Sequence, residues 1–107
     1  MELIQYQIVL VNLNPTRGSE IKKTRPCVIL SPDEMNRHLN TIVVAPMTTS
    51  SRSYPTRVKM KHESKTGWIV LDQIRTIDKQ RIARVLGQLN HPETRKVKAV
   101  IKEIFVD

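Results

Sequence analysis

The chain has 107 residues, a mass of 12.4 kDa, 18 Lys+Arg against 10 Asp+Glu, and a formal net charge of +8. That length predicts one domain over residues 1–107, with one core that removes about two-thirds of the surface from water. The single cysteine, Cys27, excludes a disulfide framework and points to a reducing, cytoplasmic setting; no basic leader opens the chain and no run has the length of a membrane span.

Aromatic residues are only 4%, so the core must be aliphatic. Ile4, Tyr6, Ile8 and Leu10, with Val9, Val11 and Leu13, make a first apolar segment that ends at Asn14-Pro15. A polar loop follows, and then Cys27-Val28-Ile29-Leu30, a short strand bounded by Pro26 and by Ser31-Pro32. Ser31-Pro32-Asp33-Glu34 reads as a helix start with Pro at the first helical position, predicting a short helix to about Arg37. Thr41-Ile42-Val43-Val44-Ala45 is the next strand, closed by Pro46. A hydroxyl-rich loop runs from Met47 to Tyr54.

Thr56-Arg57-Val58-Lys59-Met60 alternates with period two, as a strand wet on one face does. Trp68-Ile69-Val70-Leu71 reads as a buried strand, with Trp68 in the core or an interface. Arg75 and Asp78 fall in a turn, Asp78-Lys79-Gln80-Arg81 in another, and Arg84-Val85-Leu86-Gly87-Gln88-Leu89 reads as a strand. After Asn90-His91-Pro92-Glu93, residues Val97, Val100, Ile101, Ile104 and Phe105 recur as the apolar stripe of an amphipathic helix. The pattern is mainly β, a small sheet or barrel with short helices and a C-terminal amphipathic helix.

The positive excess is concentrated from Arg57 to Lys102 and leaves three readings: a nucleic acid partner, an acidic protein partner, or a solvated basic surface. His38, His62 and His91 lack partners at ligand spacing, so no metal is expected, and no phosphate-binding glycine loop occurs. Cys27 opens an apolar strand and reads as a buried, inert thiol. What remains is arginine with hydroxyls: Arg17, Ser19 and Arg25 about the first loop, Thr48 and Thr49 after the third apolar run. An arginine fork is always charged and binds two phosphate oxygens at once, and hydroxyls beside it orient a phosphodiester or bond a 2′-OH. RNA carries its own nucleophile in that 2′-OH, so such a set has little more to supply. Arg25 could also pair with Glu20 as a surface ion pair.

In order along the chain, Asn14-Pro15-Thr16-Arg17-Gly18-Ser19-Glu20, Thr24-Arg25-Pro26-Cys27-Val28-Ile29-Leu30-Ser31-Pro32, Asn36-Arg37, Ile42-Val43-Val44-Ala45-Pro46-Met47-Thr48 and Leu71-Asp72-Gln73-Ile74-Arg75-Thr76-Ile77-Asp78 resemble the motifs of the MazF/PemK family of toxin endoribonucleases. The resemblance implies an SH3-like, partly open β-barrel acting as a homodimer. It also implies cofactor-free, metal-independent cleavage of single-stranded RNA at a short sequence, leaving a 2′,3′-cyclic phosphate and a 5′-hydroxyl, and a cognate antitoxin whose acidic tail blocks the RNA groove.

By the same resemblance Arg25 and Thr48 are the key pair: Arg25 stabilises charge on the phosphorane and Thr48 holds a phosphoryl oxygen or the 2′-OH. Ser19 and Gln73 contact RNA beside them, and Arg17, Thr49, Arg52 and Asp72 complete the expected RNA contacts. The chain departs from one branch of the family, having Ser19 and Val70 where that branch has histidine and arginine. Asp72 is therefore open to a structural reading, bonding loop amides or pairing with an arginine. Toxins with this barrel also resemble gyrase poisons, which keeps open a non-catalytic inhibitor of a protein such as DNA gyrase. A plain RNA-binding module is a third reading.

Overall fold

The computed structural model describes residues 2–106. In chain order the elements are β1 (Gln7–Asn12), β2 (Thr24–Ile29), α1 (Asp33–His38), β3 (Thr41–Thr48), β4 (Arg57–His62), β5 (Lys65–Val70), β6 (Arg75–Asp78), β7 (Ile82–Gln88) and α2 (His91–Phe105). Short 3₁₀ turns occupy Leu71–Gln73 and Lys79–Arg81. The strands form one antiparallel sheet in the order β4-β5-β3-β2-β1-β7, with β6 also paired to β3. The sheet curls: the His62 ring at the end of β4 lies 3.8 Å from where a Cβ on Gly87 of β7 would sit. The mainly β, partly open barrel with a C-terminal helix is thus as expected.

The central strands are buried on both faces, which explains why they read as near-continuous apolar runs. Ile8, Val28, Ala45, Met47, Val58 and Ile69 point to one face, where Val97, Val100, Ile101 and Ile104 of α2 close over them. Val9, Val11, Cys27, Ile29, Val44 and Ile77 point to the other, with Leu3 and Leu13. Cys27 is fully buried, and burial pushes its thiol up to about 12. At neutral pH it is therefore protonated and unreactive, as the apolar strand suggested.

The α2 helix begins at His91, inside the Asn90-His91-Pro92-Glu93 segment after which it was expected. Asn90 Oδ1 accepts from the Glu93 amide at 2.8 Å, and the Asn90 amide donates to Glu93 Oε1 at 3.0 Å, a reciprocal capping box. Its stripe is one residue shorter than the spacing implied, because Phe105 is 61% exposed.

Five further expectations are corrected. The first strand starts only at Gln7, since Tyr6 has φ +69° and turns the chain. The third strand runs through Pro46 to Thr48. On that edge β3 pairs with β6 up to Val44 and with β5 from Met47, so Pro46 sits at the change of partner, where a missing N–H breaks no ladder bond. Arg75 and Asp78 lie in a strand rather than a turn; its four residues are too few for periodicity to reveal. Leu71 leaves β5 for a 3₁₀ turn; Trp68 within β5, expected in the core or an interface, is half-buried under the Lys59 ammonium, 6.0 Å from the ring centre. Pro32 occupies the cap of α1 without a side-chain bond, while the Ser31 hydroxyl donates to Asn36 Oδ1 at 2.5 Å and accepts from the Val43 amide at 3.1 Å.

Candidate active site

The pairing of β2 with β3 sets Cys27 against Pro46, Val28 against Ala45 and Ile29 against Val44. The same register, carried toward the end of β3, sets Arg25 against Thr48. Both line one cleft of about 250 Å³ together with Thr49 and, from the β4–β5 hairpin, His62, Glu63 and Lys65. The hairpin reaches the cleft through a two-residue turn, with Glu63 and Ser64 both left-handed at φ +51° and +66°.

Each member of the pair is held by its neighbours. Arg25 Nε donates to the Lys22 carbonyl at 3.0 Å, which anchors the guanidinium without using its two terminal nitrogens. The expected alternative, a bridge to Glu20, does not form: Glu20 Oε1 instead accepts from the Arg17 amide at 2.5 Å. Thr48 is 9% exposed, and its Oγ1 accepts from the Ser50 amide at 3.1 Å. One hydroxyl hydrogen remains for an anionic oxygen.

Gln73 and Asp72 do structural work beside the cleft. Gln73 Oε1 accepts from the Ile21 amide at 2.8 Å and its Nε2 donates to the Ser19 carbonyl at 3.4 Å, pinning the first loop. Arg75 Nη1 adds a bond to the Leu13 carbonyl at 3.1 Å. Asp72 pairs with Arg57, a partner the sequence did not indicate: Oδ1 accepts from Arg57 Nε at 3.1 Å and from Thr56 Oγ1 at 2.9 Å, and Oδ2 accepts from Arg57 Nη2 at 3.2 Å. Arg57 Nη1 also donates to Ser51 Oγ at 2.8 Å, so the pair ties down the loop after Thr48. Of the other expected contacts, Thr49 lines the cleft, whereas Arg17, Ser19 and Arg52 are exposed and line neither it nor the hollow formed by Glu20, Asp72, Gln73 and Arg75.

The hydrogen bond from Arg57 holds the Asp72 carboxyl below its ordinary range, against partial desolvation and with help from Thr56. A lowered folded value stabilises above the unfolded value of about 3.9, and that contribution disappears as pH falls through the folded value. The pair is partly exposed, so its effect on global stability is about 0–1 kcal/mol. It acts on the loop that Arg57 also holds through Ser51. Proteolytic nicking of the loop at residues 49–56 is expected to rise as pH drops below about 4, and to be high at neutral pH in Asp72→Asn. Equal protection of that variant and the parent at neutral pH would contradict the tether.

His62, Glu63, Lys65 and Arg57 are the residues that sequence reasoning missed here. His62 carried no signal, being isolated from other ligating or catalytic types. Arg57 carried a partial one, because the alternation of β4 puts it on the same face as Lys59 and Lys61, away from Val58 and Met60. Among the described residues no group of three or more His, Cys, Asp and Glu side chains is placed to hold a metal ion. Arg57 is also the one Lys or Arg within ion-pair distance of a carboxylate among the described residues, so the basic surface is largely uncompensated.

Comparison with known proteins decides the family. The model of the PemK-like, MazF-like toxins of type II toxin-antitoxin systems matches residues 4–105. The endoribonuclease toxin MazF of Escherichia coli K12 is 33% identical over 99 residues, covering 92% of this chain and 89% of that protein. The chain belongs to the MazF/PemK toxin family. The fold agrees. A crystal structure of MazF from Deinococcus radiodurans superposes with a TM-score of 0.86 at 23% identity, covering 97% of this chain and 96% of that one. A mycobacterial endoribonuclease in complex with its cognate antitoxin gives 0.80 at 24% identity, covering 94% and 92%. In this MazF-family toxin, then, the cleft holding Arg25 and Thr48 is built by the two central strands of the family's barrel.

Proposed function

We propose that this MazF-family endoribonuclease cuts single-stranded RNA at a short sequence through the substrate's own 2′-OH, using Arg25 and Thr48 and no metal. The observation that carries the reading is the convergence of that arginine and that hydroxyl in one cleft. The O2′–P bond forms and the P–O5′ bond breaks. The 2′-OH loses a proton and the departing O5′ gains one, leaving a 2′,3′-cyclic phosphate and a 5′-hydroxyl. Negative charge grows on the phosphoryl oxygens during this exchange. The Arg25 fork, fixed through Nε, stabilises it in place. The hydroxyl of Thr48, oriented by the Ser50 amide, donates to the same group or positions the 2′-OH. Arg25 stays charged at any working pH, so proton movement falls to another group. The His62 imidazole lines the same cleft and is the nearest candidate by residue type.

Further features support the rest of the reading. The uncompensated cations suit both RNA phosphates and an antitoxin with an acidic tail. Exposed Val85, Phe105 and Val106 give apolar area for a second copy of the chain, consistent with a homodimer. No helix among the described residues is long and apolar enough to cross a membrane, and the buried free thiol suits the cytoplasm.

Purified protein is expected to cleave a mixed RNA in EDTA at full rate, giving 5′ ends that a polynucleotide kinase phosphorylates without prior dephosphorylation. Cleavage that stops in EDTA, or 5′-phosphate ends, would overturn the chemistry. Intact RNA in cells whose growth the protein arrests would point instead to a protein target.

A further inference from the structure

The loop between β3 and β4 is tethered at both ends, and the reading above gives the tether at its far end no task in the chemistry. At one end the Ser50 amide is bonded to Thr48 Oγ1. At the other, Arg57 is gripped by Asp72 through Nε and Nη2, and reaches back to Ser51 Oγ through Nη1. Ser51 Oγ passes the bond on to the Arg52 carbonyl at 2.9 Å. The Tyr54 amide segment closes the same loop, since the Arg57 amide donates to the Tyr54 carbonyl at 3.0 Å.

These bonds place the Arg57 guanidinium over the Tyr54 ring, 4.8 Å from its centre. The ring nevertheless stays 46% exposed. An aromatic ring in a soluble protein is ordinarily covered, and one with a guanidinium against one face keeps its remaining area for another planar group. Two bonds to the Asp72 carboxylate and one to Ser51 fix the plane of the guanidinium. A fixed, half-open aromatic surface one short loop from the cleft, within a surface rich in unpaired cations, has the chemistry of a single-stranded nucleic acid platform.

We propose that Tyr54 stacks a base of the RNA next to the cleaved linkage, and that Arg57 and Asp72 are positioning residues that hold its ring in place. The inference rests on the endoribonuclease reading for its substrate, and it assigns Asp72 a role through Arg57 and Tyr54 rather than in proton transfer. Base–aromatic stacking tolerates any base, so the platform adds affinity and register while other contacts choose the sequence.

The test is an abasic scan. Short RNAs carrying one abasic nucleotide at successive positions around the mapped cleavage point are compared on the parent, Tyr54→Ala, Tyr54→Phe and Arg57→Ala. In the parent, one abasic position is expected to raise KM about 5- to 150-fold, the range for a lost base–aromatic stack. Tyr54→Ala is expected to raise KM by a similar factor on intact RNA, with kcat changed less than about threefold, and to show no further loss at that abasic position. Tyr54→Phe, which keeps the ring, recovers most of the lost affinity. Arg57→Ala shows part of the loss.

Parental KM in Tyr54→Ala, or an abasic penalty of the same size in both proteins, overturns the platform. So does a weaker grip on the antitoxin with no change in RNA affinity, since the surface would then serve the protein partner. Binding of 2′-O-methyl RNAs, which have no nucleophile, separates this inference from the one it rests on. Tyr54-dependent binding without cleavage of ordinary RNA would sink the nuclease chemistry and leave the platform. Cleavage with Tyr54-independent binding would do the reverse.

Discussion

Arg25→Ala is expected to lower kcat by at least about 10²–10³-fold while leaving the fold intact, a range set by the loss of one fixed donor to a developing oxyanion. A charged donor is stronger than a neutral one, so the upper part of that range or beyond is anticipated. The structural loss is small: the side chain is half-buried and its one bond within the described protein is from Nε to the Lys22 carbonyl. The melting temperature should therefore move little. Arg25→Lys keeps the charge but loses the fork that binds two oxygens, so partial activity is expected rather than rescue. Thr48→Val, which keeps the volume and removes the hydroxyl, should act on the same step. Single-turnover cleavage of a labelled RNA separates these effects from binding. Parental kcat in Arg25→Ala would remove the cleft as the centre of the chemistry.

The largest effect on stability belongs to Ile69. It is fully buried in β5 and stands in register with Met47 of β3 on one side and Val58 of β4 on the other. It thus joins the β4–β5 hairpin to the body of the sheet, immediately beside the Trp68–Thr48 pair. Truncating a buried isoleucine to alanine costs about 2–5 kcal/mol, in transfer energy and in the cavity left behind. Domains of this size have about 5–15 kcal/mol in all. Ile69→Ala should therefore lower the melting temperature by about 10 °C or more, read by circular dichroism. Activity per folded molecule should fall as well, because the hairpin carries His62, Glu63 and Lys65 to the cleft. A change below about 1 kcal/mol would show that the site collapses without cost and that the hairpin is held elsewhere.

Much of the fold was legible because burial leaves a period in the chain. Val28 and Ile29, buried on opposite faces, read as a strand with no wet side; Val58 and Met60, alternating with Arg57 and Lys59, read as a strand with one. Val97, Val100, Ile101 and Ile104 announced the final helix by their spacing, and the capping box of Asn90 and Glu93 was added by the structure. Strand β6 escaped because Arg75-Thr76-Ile77-Asp78 has one buried residue and charges at both ends. Pro46 reads as a stop because proline ends most strands; only the arrangement of β5 and β6 along β3 shows that its missing donor has no partner to lose.

The site divides along the same line. Residue type nominated Arg25 and Thr48 only together with Arg17, Ser19 and Thr49, because a fixed positive fork and a hydroxyl are what a phosphodiester needs, and the resemblance to the family singled out the two. That they share a cleft follows from the β2–β3 register, which no local pattern specifies. His62 and Lys65 enter the cleft because the hairpin folds back over it, and Asp72 meets Arg57 because β4 pairs with β5 and the chain then turns at Leu71–Gln73. The aliphatic β core, the terminal helix, the basic surface and the chemical types at the site can be read along the chain, since each depends on a residue and its near neighbours. The tertiary structure alone decided which of those types stand together, because strand pairing joins residues far apart in the chain, and that pairing is selected by burial of whole faces rather than by the residues that meet.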